Sequence, residues 1–241
     1  MRAELKGRSF LVTGSSSGIG LEVARRLLQE EADVIGLARR AAEVRLSGRY
    51  FPFPFDLADT ERLPHALEEL TERFPEIDGL VLAAGYGDFG SLEEFSYDRI
   101  RRLVEVNLLS NLFICRHFLP HFKRRRYGDI VVIGSEVAKK GGRYGAVYGA
   151  TKSALRGFVQ SLRLESGRRG VRIALVNPGL TATPFYGQLP FEPGSEEGQH
   201  LMPEEVAEAV LLILKAPRRC VVEELDLSPL VHVVRKRGKN P

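Results

Sequence analysis

The sequence predicts an α/β fold: a doubly wound, mainly parallel sheet in three α/β/α layers, forming a single domain over residues 1–241. Three observations predict it. Short apolar runs alternate with longer segments whose apolar residues recur at helical spacing. Several of those runs end in glycine, where a chain turns from strand into helix. A length of 241 residues, 44% hydrophobic and 27% charged, suits one ordinary α/β domain with an ample core. Strands joined by crossover helices pair in parallel with helices on both faces, and their ligands sit beyond the strands' carboxyl ends.

Along the chain, "SFLVTG" is an apolar strand ending in glycine, and "LEVARRLLQEEA" is an amphipathic helix. "DVIGLAR" is a second apolar, β-branched strand, "YFPFPFDL" is extended and punctuated by proline, and "LPHALEELTERF" is helical. "IDGLVLAAG" has the continuous apolar character of a strand covered on both faces. "FSYDRIRRLVEVNLLSNLFICRHFLPHFKRRR" predicts one long helix, "GDIVVIGS" a strand, "GAVYGATKSALRGFVQSLRLES" a helix and "GVRIALVNPG" a strand. "TATPFYGQLPFEPGSEEGQH" then breaks the rhythm; its length and place after a strand predict a substrate lid over about residues 183–202. A helix from about Glu204 to Lys215 follows, and a basic tail at residues 236–241, in and after "RKRGK", reads as solvated.

Composition narrows the function classes. Thirty-five basic against thirty-one acidic residues give a net charge of +4, spread along the chain, which predicts no nucleic-acid partner. Cys115 and Cys220 have no ligand spacing and read as reduced thiols. No stretch approaches the roughly 20 apolar residues of a membrane span, and "MRAELKGRSFLVTG" has no signal-peptide core, so a soluble cytoplasmic protein is expected. His117 and His121 share a helix face, but no carboxylate completes a ligand set and Pro120 lies between them, so no metal is expected.

"VTGSSSGIG", residues 12–20, admits two readings. "GSSSG" fits the G-x-S-x-G turn that presents a nucleophilic serine, here Ser16. It also spells a strand-to-helix turn in which Gly14, Gly18 and Gly20 let backbone N–H groups approach a pyrophosphate. A hydrolase elbow normally follows several strands, whereas this turn follows the first, and no HGGG-type oxyanion segment accompanies it. Gly18 is not followed by the Lys and Ser or Thr of a P-loop. The phosphate cradle is the better reading.

Further along, "YGATK" puts Tyr148 and Lys152 four apart, on one face of a helix. A phenol of pKa about 10 is a poor acid or base at neutral pH, and an ammonium nearby favours its phenolate. Ser135 ends a strand on the ligand side, where a hydroxyl can donate to a substrate oxygen or merely cap a turn. Asn107 lies in the apolar run "LVEVNLLSNLF", where an amide must find partners. Alone, each of these residues has an ordinary structural reading.

Together they resemble the short-chain dehydrogenase/reductase family, over residues 7 to about 184. "TGSSSGIG" is similar at every fixed position to its T-G-x-x-x-G-x-G cofactor motif, and Asn107, Ser135, Tyr148 and Lys152 stand in the order of its catalytic tetrad. The resemblance implies a Rossmann-like fold with Tyr148 as general acid/base, Ser135 orienting the carbonyl, and Lys152 lowering the tyrosine pKa and binding the nicotinamide ribose. Asn107 would hold a water in a proton relay. It further implies that Gly14, Ser16, Ser17, Gly18, Ile19 and Gly20 cradle the cofactor phosphates. Asp56 and Leu57 of "FDL" would sit beside the adenine, and Ala83, Ala84 and Gly85 would flank the cofactor, although Leu82 replaces the family's usual Asn. Pro178, Gly179, Thr181 and Thr183 of "NPGLTATP" would cover the nicotinamide.

The second strand ends at Ala38, followed by Arg39 and Arg40; with no carboxylate to meet a ribose 2′-OH and a guanidinium to fork onto a 2′-phosphate, NADP(H) is expected over NAD(H). The expected substrate is a small carbonyl compound or secondary alcohol. The ending "CVVEELDLSPLVHVV" resembles a family subset that includes NADP-dependent enzymes oxidising small 3-hydroxy acids, and Arg143 or a lid residue could bind a carboxylate, yet the lid gives equal scope for an apolar ketone or aldehyde. Leu103, Val104, Val106, Leu108, Leu109, Leu112, Phe113 and Ile114 make the long helix apolar over more than one face, which with the resemblance implies a homodimer or homotetramer. Two rivals stay open: a serine hydrolase using Ser16, and a non-catalytic NADP sensor of the same fold.

Overall fold

The apolar runs become strands and the periodic segments become helices in the computed structural model, which describes residues 4–237. β1 (Ser9–Thr13), β2 (Asp33–Ala38), β3 (Tyr50–Pro54), β4 (Ile77–Leu82), β5 (Gly128–Ile133), β6 (Val171–Pro178) and β8 (Glu224–Leu227) form one sheet. Its order is β3-β2-β1-β4-β5-β6-β8, and every neighbouring pair is parallel. The direction of strand addition reverses between β1 and β4. Their carboxyl ends, with Thr13 opposite Leu82, therefore open the crevice in which such sheets bind ligands.

Alternation along each strand supplies two separate cores. Leu11 of β1 and Ile130 and Val132 of β5 join the core under α2 (Leu63–Arg73), α4 (Ser110–Arg125) and α6 (Ala146–Ser166). Phe10, Val12, Val131 and Ile133 join the core under α1 (Gly18–Gln29) and α7 (Pro203–Lys215). Each fully buried Leu, Ile or Phe contributes roughly 1.5–3 kcal/mol of hydrophobic burial, so both layers are held to the sheet. Among the described residues no helix is long and apolar enough to cross a membrane.

The structure differs from the sequence expectation in three places. The long helix is interrupted: α3 (Tyr97–Val104) leads into a π turn at Glu105–Leu109 before α4. Side chains take up carbonyls at this wider turn, as Ser110 Oγ donates to Val106 O at 2.7 Å and Asn111 Nδ2 to Asn107 O at 3.0 Å. The basic tail is not wholly solvated, because β9 (Val234–Lys236) pairs antiparallel with β7 (Phe191–Pro193), a strand inside the expected lid. Arg237 Nε donates to Glu192 at 2.8 Å, so an acidic residue on the lid engages the basic run. Residues 238–241 of that tail lie outside the described residues. A short helix, α5 (Val137–Lys140), follows β5 where the sequence gave no signal.

Candidate active site

The glycine-rich turn sits between β1 and α1. Gly14 and Gly18 carry the left-handed φ values, +71° and +53°, whereas Ser16 is absent from the positive-φ non-glycines, which among the described residues are Glu31, Arg126 and Tyr144. A nucleophile elbow would place its strain on the serine, so this geometry speaks against the hydrolase reading. A side chain at Gly20 would overlap Gly14 O, which is how α1 starts pressed against the end of β1. Ser17, the N-cap, makes no side-chain cap bond, which leaves the first-turn N–H groups of α1 disposed toward an anion. Ser16 and Ile19 are half-buried beside them, with Ile19 packed on the core.

Beside this turn lies the end of β4. A side chain on Gly14 would come within 2.9 Å of Ala84 Cα, and Ala84 N donates to Thr13 Oγ1 at 3.1 Å, so the two loops at the crevice support one another. Ala83 is half-buried and Gly85 exposed. On the neighbouring side Asp56 accepts from Ala58 N and from Arg102, each at 3.0 Å. Burial alone would raise the Asp56 carboxyl, but those donors and the charges of Arg102 and Arg39 hold it below its ordinary value. Arg39 and Arg40 are exposed at the end of β2. Leu57 is buried in the core, so only its backbone is left to meet a ligand.

The four tetrad positions come from three elements and meet at the carboxyl end of β5. Asn107, in the π turn, is fully buried and exchanges two bonds with Tyr86: Nδ2 donates to Tyr86 O at 2.9 Å, and Oδ1 accepts from Tyr86 N at 3.0 Å. Nδ2 also donates to Thr151 Oγ1 at 3.5 Å, so the side chain holds the loop after β4 against α6. A Cβ built on Gly85 would lie 3.2 Å from Asn107 Oδ1 and 3.6 Å from Lys152 Nζ, so both groups border the space above this glycine.

Lys152 and Tyr148 share the inner face of α6. Lys152 Nζ is 5.8 Å from the centre of the Tyr148 ring and donates to Ile133 O at 3.0 Å. That carbonyl is its one partner among the described residues; an ammonium has three donors, so two remain for a ligand. Burial pushes the lysine down from its ordinary 10.5 to about 8. Burial also pushes the Tyr148 phenol well up; the Ser135 hydroxyl opposes this by bonding it, while Tyr186 and Glu136 reinforce it. Tyr148 is only 7% exposed and Ser135 is buried.

The segment after β6 packs over this cluster, with Phe185 against Tyr148. Pro178 ends β6, Gly179 N donates to Leu227 O at 2.7 Å, and Thr181 Oγ1 donates to Gly179 O at 3.0 Å. Thr183 reaches the glycine turn, 3.3 Å from a Cβ built on Gly18, and its hydroxyl accepts from Phe185 N at 3.3 Å. Sequence reasoning missed Phe89, Phe185 and Phe191, which gather over Tyr148, and Tyr50, whose hydroxyl lies 3.2 Å from Ser15 Oγ beneath the glycine turn. "FYGQLPF" announced aromatic residues in the lid, but nothing local announced Phe89 or Tyr50 as their neighbours across the fold. The two helix histidines face apart in their bonding: His117 Nε2 lies 2.7 Å from Thr71 Oγ1, and His121 Nε2 lies 3.3 Å from Arg125.

The model of the short chain dehydrogenase family matches residues 8–191. The chain belongs to this family. The NADP-dependent 3-hydroxy acid dehydrogenase of Schizosaccharomyces pombe is 30% identical, with 98% of this chain and 100% of that protein covered. Among solved structures, an alcohol dehydrogenase from Thermococcus sibiricus complexed with 5-hydroxy-NADP is 31% identical, with a TM-score of 0.81, covering 98% of this chain and 99% of that one. Serine dehydrogenase from Escherichia coli is 27% identical, with a TM-score of 0.79 and coverage of 91% and 96%. Structural neighbours in this family carry NADP or related nucleotides, and the fold is the Rossmann-like sheet of short-chain dehydrogenases.

The residues present fit a dinucleotide. Three glycines leave room where any side chain would press on backbone or on Thr183, an uncapped helix start faces that room, and a buried ammonium holds two spare donors beside Gly85.

Proposed function

We propose that this short-chain dehydrogenase transfers hydride between a nicotinamide cofactor, NADP(H) in preference to NAD(H), and a carbonyl or secondary alcohol, with Tyr148 as general acid/base. The observation that carries the reading is the meeting of a buried phenol, the Ser135 hydroxyl and the Lys152 ammonium at the sheet's carboxyl end, above a glycine cradle. When bound, the nicotinamide supplies the hydride, with its two electrons, to the carbonyl carbon. Tyr148 gives its proton to the carbonyl oxygen and recovers one from solvent, while Ser135 donates to that oxygen and fixes its position. Burial alone would make Tyr148 too weak an acid; the Lys152 charge favours the phenolate, and with a pKa of about 8 that charge is present at neutral pH. Gly14, Ser16, Ser17 and Gly18 receive the phosphates, and Thr181, Thr183, Pro178 and Gly179 close over the nicotinamide.

Support for NADP(H) comes from Arg39 and Arg40, exposed where a 2′-phosphate would lie. Assembly with a second copy is supported by the half-buried Val104, Val106 and Leu109 at the π turn.

Titration with NADPH and NADH, followed by nicotinamide fluorescence, tests the cofactor, and turnover of Tyr148→Phe tests the chemistry. Arg39→Ala is expected to weaken NADPH by about tenfold and leave NADH unmoved, since a charged hydrogen bond is worth roughly 1.5–3 kcal/mol. Tyr148→Phe is expected to bind NADPH as the wild type does while kcat falls about 10²–10⁴-fold. Binding of neither nucleotide would overturn the reading.

A further inference from the structure

Aromatic rings flank the Tyr148 ring, and a carboxylate, that of Glu136, follows Ser135 in the chain. Phe89 packs on the tyrosine ring at 5.3 Å between centres and Phe185 at 5.8 Å. Phe191 meets Phe89 edge-on at 5.0 Å, and Tyr186 meets Phe185 at 5.1 Å and Phe191 at 5.9 Å. These rings come from the loop after β4 and from the lid, so they assemble only in the folded chain. They leave Tyr148 nearly inaccessible, and a substrate reaches the phenol by parting them and taking their place against its ring. Each ring so displaced regains its contacts only against an apolar or aromatic group.

The charged group next to Ser135 in the chain is Glu136. A Cβ built on Gly179 would lie 3.2 Å from Glu136 Oε2, which puts the carboxylate against the segment that covers the site. Its charge is felt at both Tyr148 and Tyr186. Its other oxygen faces His232, with Nε2 at 3.0 Å, an exposed side chain from the C-terminal segment. Arg143, the cation best placed in sequence to meet a carboxylate, is engaged elsewhere: Nη2 donates to Tyr144 Oη at 3.0 Å and the guanidinium lies 4.8 Å from that ring's centre. Lys152 lies beneath the phenol, bonded to Ile133 O. Among the described residues no Lys or Arg pairs with Glu136, whose side-chain partner is His232.

We propose, resting on the reaction proposed above, that the substrate is an uncharged carbonyl compound or its secondary alcohol, bearing an aromatic or bulky apolar group held by Phe89, Phe185 and Phe191, and that Glu136 excludes substrates with a carboxylate near the reacting carbon. This sets the chain apart from the two similar proteins named for serine and 3-hydroxy acids. Three alcohols separate the contributions of ring and charge: 1-phenylethanol, methyl 3-hydroxybutanoate and 3-hydroxybutanoate, each oxidised with NADP at one pH.

The expected order of kcat/KM is phenylethanol, then ester, then acid, with the acid about tenfold below the ester through like-charge repulsion in a water-poor site. Glu136→Gln is expected to close most of the ester–acid gap, and Phe89→Leu to raise KM for phenylethanol more than for the ester. The inference is overturned by an acid as good as its ester, by an ester–acid ratio that Glu136→Gln does not move, or by phenylethanol falling below the ester. If no alcohol is oxidised and Tyr148→Phe behaves as the wild type, the oxidoreductase reading falls and takes this inference with it. Preferential turnover of the acid overturns the inference alone.

Discussion

Lys152 is the residue on which stability and chemistry pull in opposite directions. It is 5% exposed, it has no anionic partner among the described residues, and its folded pKa of about 8 lies below the 10.5 of an open chain. Below pH 8 both states hold the proton and the fold carries the whole cost of a buried charge. Between 8 and 10.5 the unfolded chain binds more proton, so stability rises with pH across that window and the cost is gone above it. Lys152→Met, similar in length and uncharged, should therefore raise stability at pH 7 by on the order of 2 kcal/mol without nucleotide, and should abolish turnover. Thermal unfolding of both proteins at pH 7 and pH 10 checks it: the gap should narrow at the higher pH, and a variant less stable at pH 7 would contradict it. Lys152, Tyr148, Ser135 and the glycines could be singled out in the sequence because their order and spacing together resemble the family's motifs. Phe89, Glu136 and Tyr50 were not, because each acts on a residue that only the folded chain brings near, such as Tyr50 on Ser15.

At the scale of elements, the segment expected as a lid is held by a strand that overlaps the tail expected to be solvated. β9 joins β7 edge to edge, Gly194 N donates to Val233 O and Arg237 N to Pro190 O, each at 2.9 Å, and Arg237 Nη1 donates to Gly187 O at 2.9 Å. Arg237 holds the Glu192 carboxyl below its ordinary range, against a small opposing effect of burial. Exposed ion pairs of this kind are worth little and fade with salt, so the backbone pairing is the main tie. Ending the chain after Leu230 should leave the seven-stranded sheet folded, speed proteolysis within residues 187–200, and raise KM severalfold. Limited proteolysis with and without the tail is the check; equal cleavage rates would show that the lid holds itself. The sequence hid this latch because a three-residue edge strand of Val, Arg and Lys has no apolar periodicity. The π turn was hidden for a related reason: apolar spacing continues through "LVEVNLLSNLF", and only the bonds of Asn107, Ser110 and Asn111 disclose the extra residue.

At the scale of the molecule, the parallel sheet was legible because its central strands, β1, β2, β4, β5 and β6, are buried on both faces and so read as near-continuous apolar runs. What locks its amino-terminal edge was not legible, since it depends on four distant charges. Asp129, near the start of β5, accepts from Arg8 at 2.7 Å, Arg172 at 2.6 Å and Arg218 at 2.7 Å. Arg172 also donates to Leu214 O and Ala216 O, and Arg218 to Gly170 O, so one carboxylate ties the approach to β1, the starts of β5 and β6 and the end of α7. Burial would raise this carboxyl, but Arg172, Arg8 and Arg218 hold it below its ordinary 3.8. A depressed carboxyl gives stability that is complete above 3.8 and lost only as pH falls through the folded value, so the cluster is intact from neutral pH down to about 4. Asp129→Asn leaves three guanidiniums without their counter-charge and should cost about 3–5 kcal/mol, read by denaturant unfolding at pH 7. The same loss should appear at pH 4 and shrink only below it. Because the cluster lies at the opposite ends of the strands from Tyr148, KM and kcat per folded molecule should stay at wild-type values at temperatures where the variant is folded. A change in KM without a change in stability would mean that the two ends of the sheet are coupled, and that the amino-terminal edge does more than hold the strands in place.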